Sequence, residues 1–209
     1  MSIIRMTGEK YITEFKETVR GYYPVSDKAF HQLKDLIKFK TIKKDEILLD
    51  IGQISKQLYF ICKGAVIAYF VDEQGNTYNK NIFLEKQFAG SKVSALLKIP
   101  SKFTLQAIED SLLISLDYRR YKELIYSNEE LINFYIAYLE KNWVIDKEQR
   151  EISIVMEDAT ERYEKLLAAN PGIDQRIPLQ HIASHLGITP TQLSRIRKSL
   201  KKNSPTQPM

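Results

Sequence analysis

Gln180-His-Ile-Ala-Ser-His-Leu-Gly-Ile-Thr-Pro-Thr-Gln-Leu-Ser-Arg-Ile-Arg-Lys-Ser199 decides the reading of this chain. Its apolar and small residues stand where two short helices crossing steeply need them. Ile182, Leu186, Ile188, Leu193 and Ile196 can converge on one core, and Ala183 is small where the helices come closest. Gly187 falls at the turn, where a positive φ costs glycine least. Thr189 as N-cap, Pro190 at the first helical position and Gln192 as the third form a Thr-x-x-Gln capping box that starts the second helix. Thr189, Thr191, Gln192, Ser194, Arg195 and Lys198 are then left off the core. Most of them share the outward side of that helix, the side a helix-turn-helix offers to the major groove.

Charge points the same way. The chain has 209 residues with 31 basic and 26 acidic side chains, a net of +5. No Asp or Glu follows Asp174, whereas Arg176, Arg195, Arg197, Lys198, Lys201 and Lys202 do, so the last 35 residues carry +6. The remaining 25 basic and 26 acidic residues leave the first 174 at −1. Positive charge gathered on the motif is the footprint of phosphate neutralisation and predicts double-stranded DNA as a partner. A solvated basic tail on an ordinary helical hairpin is the bland alternative.

Working outward, the N-terminal quarter reads as helix. Tyr11, Ile12, Phe15 and Val19 recur at helical spacing, and a second segment opens at Ser26 with Phe30, Leu33 and Ile37 on one side. From about Thr41 to Asp117 the pattern becomes short apolar runs: Glu46–Asp50, Leu58–Cys62, Ala65–Val71, Phe103–Ile108 and Ser111–Leu116. Gly52, Gly64 and Asp72-Glu-Gln-Gly-Asn76 punctuate them, which predicts an antiparallel sandwich or barrel. A short helix follows at roughly Tyr118–Tyr126.

A stretch without glycine or proline then runs from Asn128 to about Glu157. Leu131, Tyr135, Tyr138, Asn142, Ile145, Gln149, Ile152 and Met156 are spaced alternately by four and three, the pattern of a dimer seam with two polar interruptions. A second line, Ile132, Ile136, Leu139 and Trp143, is expected to pack on the β domain; one helix buried within a single chain is the alternative. Periodicity breaks at Asp158–Thr160, a candidate hinge, and Arg162–Ala169 begins another helix that Asn170-Pro-Gly172 ends. The expected domains are 1–127, 128–157 and 158–209, with Asn203–Met209 as a frayed tail.

Several classes are excluded. The single cysteine, Cys62, sits in an apolar run and reads as a small core residue; alone it can hold neither an iron–sulfur cluster nor a structural zinc. His181 and His185 are four apart but lack a third ligand, so no metal is expected. No run reaches the roughly 18 apolar residues that span a bilayer, and the N-terminus lacks a signal-peptide stretch, which predicts a cytoplasmic protein with no membrane partner. A cupin-like barrel enzyme would need His and Glu ligands on its strands, and the strand region has no histidine. A non-enzymatic regulator is expected; a sensor whose helix-turn-helix binds protein is a further alternative.

The order of these parts resembles the Crp/Fnr family of bacterial transcription regulators over nearly the whole chain, through Gly52, Leu58-Tyr-Phe-Ile61, Gly64, Phe88-Ala-Gly90 and the Pro178–Leu200 motif. The resemblance implies an α+β fold: an N-terminal antiparallel β-roll of the cyclic-nucleotide-binding type, a jelly roll with flanking helices, then a long dimerisation helix and the helix-turn-helix. It further implies a homodimer, a partner RNA polymerase, and an effector or redox signal that reorients the DNA heads. Members that bind cAMP carry Gly-Glu and, some ten residues later, Arg-Ser. Here Gly90-Ser91 stands at the first place and Ser101-Lys102 at the second, with no arginine between Gln87 and Tyr118. Lysine lacks arginine's bidentate fork, so cAMP is not expected; Gly90, Ser91 and Lys102 remain effector candidates beside Lys92 and Lys98. A haem lacks a ligand, since no histidine lies between His31 and His181. Family members often show Arg-Glu where Pro190-Thr191 stands here, followed by an arginine matching Arg195. Thr189, Thr191, Gln192, Ser194 and Arg195 are thus the expected base and backbone contacts, with Lys198, Lys201 and Lys202 on phosphates.

Overall fold

The computed structural model describes residues 2–203, with side chains from Gly8 to Lys202. All but the first residue of the expected frayed tail falls outside that range. Two helices, α1 (Ser2–Tyr22) and α2 (Asp27–Lys34), precede eight strands. These are β1 (Lys38–Ile42), β2 (Ile47–Leu49), β3 (Gln57–Lys63), β4 (Val66–Val71), β5 (Thr77–Phe83), β6 (Phe88–Ala89), β7 (Thr104–Ala107) and β8 (Ser111–Asp117). A short α3 (Lys92–Leu97) interrupts them after β6. The strands form two four-stranded antiparallel sheets, in the orders β1-β8-β3-β6 and β2-β7-β4-β5. This is an α+β architecture with an antiparallel β-roll, as the resemblance implies.

The continuous apolar runs in the sequence have a single cause: β3 and β4 are covered on both sides. Side chains alternate along a strand. Phe60 points into a core built with Phe15, Phe30, Leu33, Leu131 and Phe134, while its neighbour Ile61 points between the sheets onto Val66, Leu105 and Leu113. On β4, Val66 and Ala68 face the inter-sheet core, and Ala65 and Ile67 face the C-terminal helices. Cys62 is buried in the first of these cores, where burial pushes its thiol up to about 12, so it is an inert apolar filler. The strands that sequence periodicity overlooks lack such cover. Four of the five β1 residues are exposed, and β5 reads Thr-Tyr-Asn-Lys-Asn-Ile-Phe.

Helices α4 (Tyr118–Ser127) and α5 (Glu129–Leu139) follow. The Asn128 side chain caps α5 by accepting from Leu131 N at 3.2 Å. The helix continues through a π-helical turn, Glu140–Ile145, into α6 (Asp146–Met156). Next come α7 (Ala159–Ala169), the single turn α8 (Ile173–Arg176), α9 (Leu179–Leu186) and α10 (Pro190–Asn203). The break at residue 158 is a capping box. Thr160 N and Glu161 N donate to Asp158 Oδ1 at 2.7 and 2.9 Å, and Asp158 N donates back to Glu161 Oε2 at 2.9 Å. The helix therefore starts at Ala159, three residues before Arg162. Among the described residues, no helix is long and apolar enough to cross a membrane.

Candidate nucleic-acid interface

The helix-turn-helix is built as its residue types demand. Ile182, Ala183, Leu186 and Leu193 are buried together, with Ile188 and Ile196 packed beside them. Gly187 adopts φ +71°, and its amide and that of Ile188 close the end of α9 on Ser184 and Ala183 carbonyls. The cap of α10 is reciprocal: Gln192 N donates to Thr189 Oγ1 at 3.2 Å, and Thr189 N donates to Gln192 Oε1 at 2.8 Å. Thr189, Thr191, Gln192, Ser194, Arg195, Lys198 and Lys201 are all exposed, and the structure brings them onto the free side of α10 and its start.

Not all of the C-terminal charge is free for a partner. Arg197 pairs with Asp174 at 3.1 Å, and Asp174 also accepts from the Tyr163 hydroxyl at 2.9 Å. Arg176 forks between two carboxylates of the β-roll, reaching Glu85 at 2.8 Å and Glu109 at 2.8 Å. Those hydrogen bonds hold its guanidinium above the ordinary arginine range. Among the described residues, the C-terminal cations without an ion-pair partner are Arg195, Lys198, Lys201 and Lys202.

The same motif is docked on the β-roll through its first helix. Ser184 Oγ donates to Thr77 O at 2.9 Å and accepts from Asn79 N at 2.7 Å. Asn79 Nδ2 donates to His181 O at 3.0 Å and lies 3.2 Å from His181 Nδ1. His181 is thus an interface residue. Among the described residues no three metal-ligating side chains come together. The docking uses α9 and leaves α10 uncovered.

In the β-roll, the three effector candidates separate. Ser91 is buried, with its hydroxyl 3.0 Å from Ser101 Oγ, which also lies 2.8 Å from the Phe103 carbonyl. Gly90 lies against Leu58, and Lys102 is exposed. Sequence reasoning named Lys92 without its setting and missed the cations beside it, Lys80 and Arg150. Lys92 Nζ donates to the Tyr138 hydroxyl and stands 5.1 Å from the Trp143 ring centre. Lys80 Nζ stands 4.6 Å from the Phe103 ring and 5.9 Å from Trp143, and its carbonyl accepts from Arg150 at 2.9 Å. None of the three has a carboxylate ion-pair partner among the described residues. Burial, with the charge of Lys80 adding to it, pulls the Lys92 ammonium down to about 7. Burial also lowers Lys80 and Arg150. No periodicity announces this set, because its members come from β5, α3 and α6.

Lys92 therefore carries a pH-dependent penalty. An amine with its pKa depressed in the folded state costs stability in full below about 7, and the cost fades as pH rises toward the ordinary 10.5. Lys92→Met is expected to stabilise the fold by about 2 kcal/mol at pH 6, with the gain gone near pH 10.5. Urea unfolding at pH 6, 8 and 10 checks this; a gain independent of pH would place the amine in water.

The expected dimer seam is corrected by the structure. Leu131 and Tyr138 are buried in the chain's own core against α1 and β3, and Asn142 Nδ2 donates to the Tyr22 hydroxyl at 3.2 Å. Tyr135 is half-buried there as well. The π-helical turn adds residues to the helical repeat and breaks the heptad phase. Only from the end of that turn onward do Ile145, Gln149 and Ile152 stand in solvent, with Val144, Val155 and Met156 beside them. The second line also splits, Ile132 and Leu139 packing inward while Ile136 and Trp143 stay exposed.

Residues 39–128 match the family described as the cyclic nucleotide-binding domain. No curated protein matches the chain by sequence. Among solved structures it is similar to the global regulator CLP of Xanthomonas campestris, at 14% identity over 88% of this chain and 96% of that one, with a TM-score of 0.66. It is similar to FixK2 of Bradyrhizobium japonicum, at 17% identity over 79% and 85%, with a TM-score of 0.65. The catabolite activator protein of Thermus thermophilus shares 18% identity over 90% and 89%, with a TM-score of 0.52. Residues 39–128 thus resemble the cyclic nucleotide-binding domain, and the chain has the fold of these solved regulators, among them a Crp/Fnr-family regulator of Eubacterium rectale at 17% identity over 90% of this chain and 91% of that one, with a TM-score of 0.62.

Proposed function

We propose that the protein is a sequence-specific DNA-binding transcription regulator that acts as a homodimer and is not an enzyme. One observation carries the reading: the capped helix α10 leaves Thr191, Gln192, Ser194, Arg195 and Lys198 exposed, in a segment whose bare charges are all positive. Arg195 is the base-reading residue, since its planar fork fits the two acceptors of a guanine edge. Lys198, Lys201 and Lys202 serve phosphates, helped by the amides at the start of α10. Exposed Ile145 and Ile152 pair the long helices, so that two α10 helices enter successive major grooves about 34 Å apart.

The β-roll, in this proposal, responds to an anion other than cAMP. Ser91 and Ser101 share a hydrogen bond where the family's cAMP-binding members place Glu and Arg. Lys80 and Lys92, set around Trp143 without counter-charge, supply the attraction instead, and Trp143 and Arg150 connect them to the long helix. The test is selection of bound fragments from random DNA. A near-palindromic site with half-site centres 10–10.5 base pairs apart is expected. Enrichment of no sequence, with binding insensitive to salt, refutes DNA reading.

A further inference from the structure

A half-open cleft of about 450 Å³ lies where α6, α7 and α9 meet, sharing Arg150 with the cations around Trp143. Three cations, Arg150, Arg162 and Lys165, line it, and no carboxylate does. Their present partners leave donors over. Arg150 Nη2 donates to the Lys80 carbonyl at 2.9 Å, and Arg162 donates to the carbonyls of Glu157 and Leu186. Each guanidinium has five N–H groups, so both keep several unused. Lys165 pairs with Glu157, whose second oxygen accepts from Ser153 Oγ at 2.7 Å. Asp158, the other nearby carboxylate, is committed to the cap of α7. Positive charge is therefore in excess around an open volume.

Size and lining narrow the ligand. Small-molecule sites run from about 300 to 1,000 Å³, whereas a bare phosphate ion would rattle in this one. Two guanidinium forks and an ammonium match phosphate oxygens, and Ile154 and Leu166 offer an apolar wall to an organic body. A fourth residue adds a second kind of demand. His185 lines the cleft, and its Nδ1 is buried with no hydrogen-bond partner. Burial and the charge of Arg150 pull the imidazole down to about 4, against a raising hydrogen bond to the Asn79 backbone, so at neutral pH the ring is uncharged and its unpartnered Nδ1 is left as the acceptor. A sugar hydroxyl or base N–H on the ligand would supply the donor.

We propose that this cleft binds a small organic phosphate, of sugar-phosphate or nucleotide size, and that the bound ligand clamps the joint between the long helix and the helix-turn-helix. The ligand would touch α6 before the break at Glu157–Asp158, and α7 and α9 after it. Whatever binds one arrangement of that joint holds it there in proportion to its affinity. The site does not depend on the chain's reading DNA.

The test is thermal unfolding of the full chain without DNA, titrated with AMP or ribose 5-phosphate against potassium chloride at equal ionic strength. A saturable rise in Tm with either probe is expected, with apparent affinity at least tenfold weaker in the Arg150→Gln/Lys165→Gln variant. Lys147→Gln removes one exposed charge a turn before Arg150 and should keep the wild-type response. Lys165→Gln alone carries the test if the double variant does not unfold cooperatively, because that side chain is mostly in solvent. A Tm that follows ionic strength only, or an equal loss in Lys147→Gln, overturns the proposal. So does a double variant that loses duplex binding while no probe stabilises the wild type, since the cations would then be DNA contacts.

Discussion

Replacing both Ile145 and Ile152 with aspartate is expected to turn the protein into a monomer and to weaken binding to a two-half-site duplex by about 10²–10⁴-fold. Both side chains are about half exposed, at 47% and 53%, and Val155 and Met156 beyond them are exposed at 79% and 76%. A run of uncovered apolar side chains on one helix marks an interaction surface, and each isoleucine buried there contributes about 1.5–3 kcal/mol. Two facing pairs of aspartates would replace that gain with repulsion. Neither residue takes part in the cores of its own chain, so unfolding of the monomer should change by no more than about 0.5 kcal/mol per substitution. Light scattering checks the oligomeric state; a dimer that survives both aspartates rejects this surface. Substituting Leu131 or Tyr138 instead should unfold the chain, because both lie in its internal core.

Gly64→Ala is expected to destabilise the β-roll by about 3 kcal/mol or more. Gly64 connects β3 to β4 with φ at +100°, a conformation that side-chain-bearing residues rarely adopt. A Cβ there would also lie 2.8 Å from Ser111 Cα and 2.7 Å from Ser111 Cβ, inside contact distance of backbone that β8 holds in place. The position is tied down from a second direction, since Gly64 N donates to Glu85 at 2.9 Å, and Glu85 is one of the carboxylates that Arg176 grips. Loosening this corner should therefore also loosen the docking of the C-terminal helices. Chemical denaturation of Gly64→Ala beside Gly52→Ala separates the two effects. Gly52 shares the positive φ but has open space around it, so its loss should be smaller. Equal losses would show that backbone conformation alone matters.

What the sequence made legible, and what it hid, follows from how much of each signal is local. The helix-turn-helix was readable because its determinants, the Thr189 cap, Pro190, Gly187 and the apolar set, lie within twenty residues and act within one or two turns. Covered strands were readable as apolar runs. The exposed β1 and the polar β5 were not, since their place is set by pairing with β8 and β4 and by contact with α9. The start of α7 was in fact written locally, as Asp158-Ala-Thr-Glu161, a cap pattern that the eye on apolar spacing passes over. The seam went astray for a sharper reason. A strict heptad through 131–156 requires an unbroken α-helix, but the π-helical turn at 140–145 inserts a phase shift that no residue type announces. The line that starts in the core therefore ends in solvent.

The candidate sites divide likewise. The exposed side of α10 is one helix face, and sequence spacing suffices to find it. The cations around Trp143 come from three separate elements and those of the hinge cleft from two, α6 and α7, so only the folded chain brings them together. Net charge misled in one respect. Arg176 and Arg197 belong to the basic count of the last 35 residues, yet both are engaged with carboxylates of the same chain.

Binding of wild type and Arg195→Ala to the selected site and to a scrambled duplex, by fluorescence anisotropy at one fixed salt concentration, tests most directly whether α10 reads base edges. Loss of one bidentate base contact costs about 1–3 kcal/mol, so affinity for the selected site should fall by about 10–100-fold. Affinity for the scrambled duplex, which depends on phosphates that Lys198, Lys201 and Lys202 still meet, should fall by no more than about twofold. An equal fall for both duplexes would make Arg195 a phosphate contact and contradict the assignment of base reading to this helix.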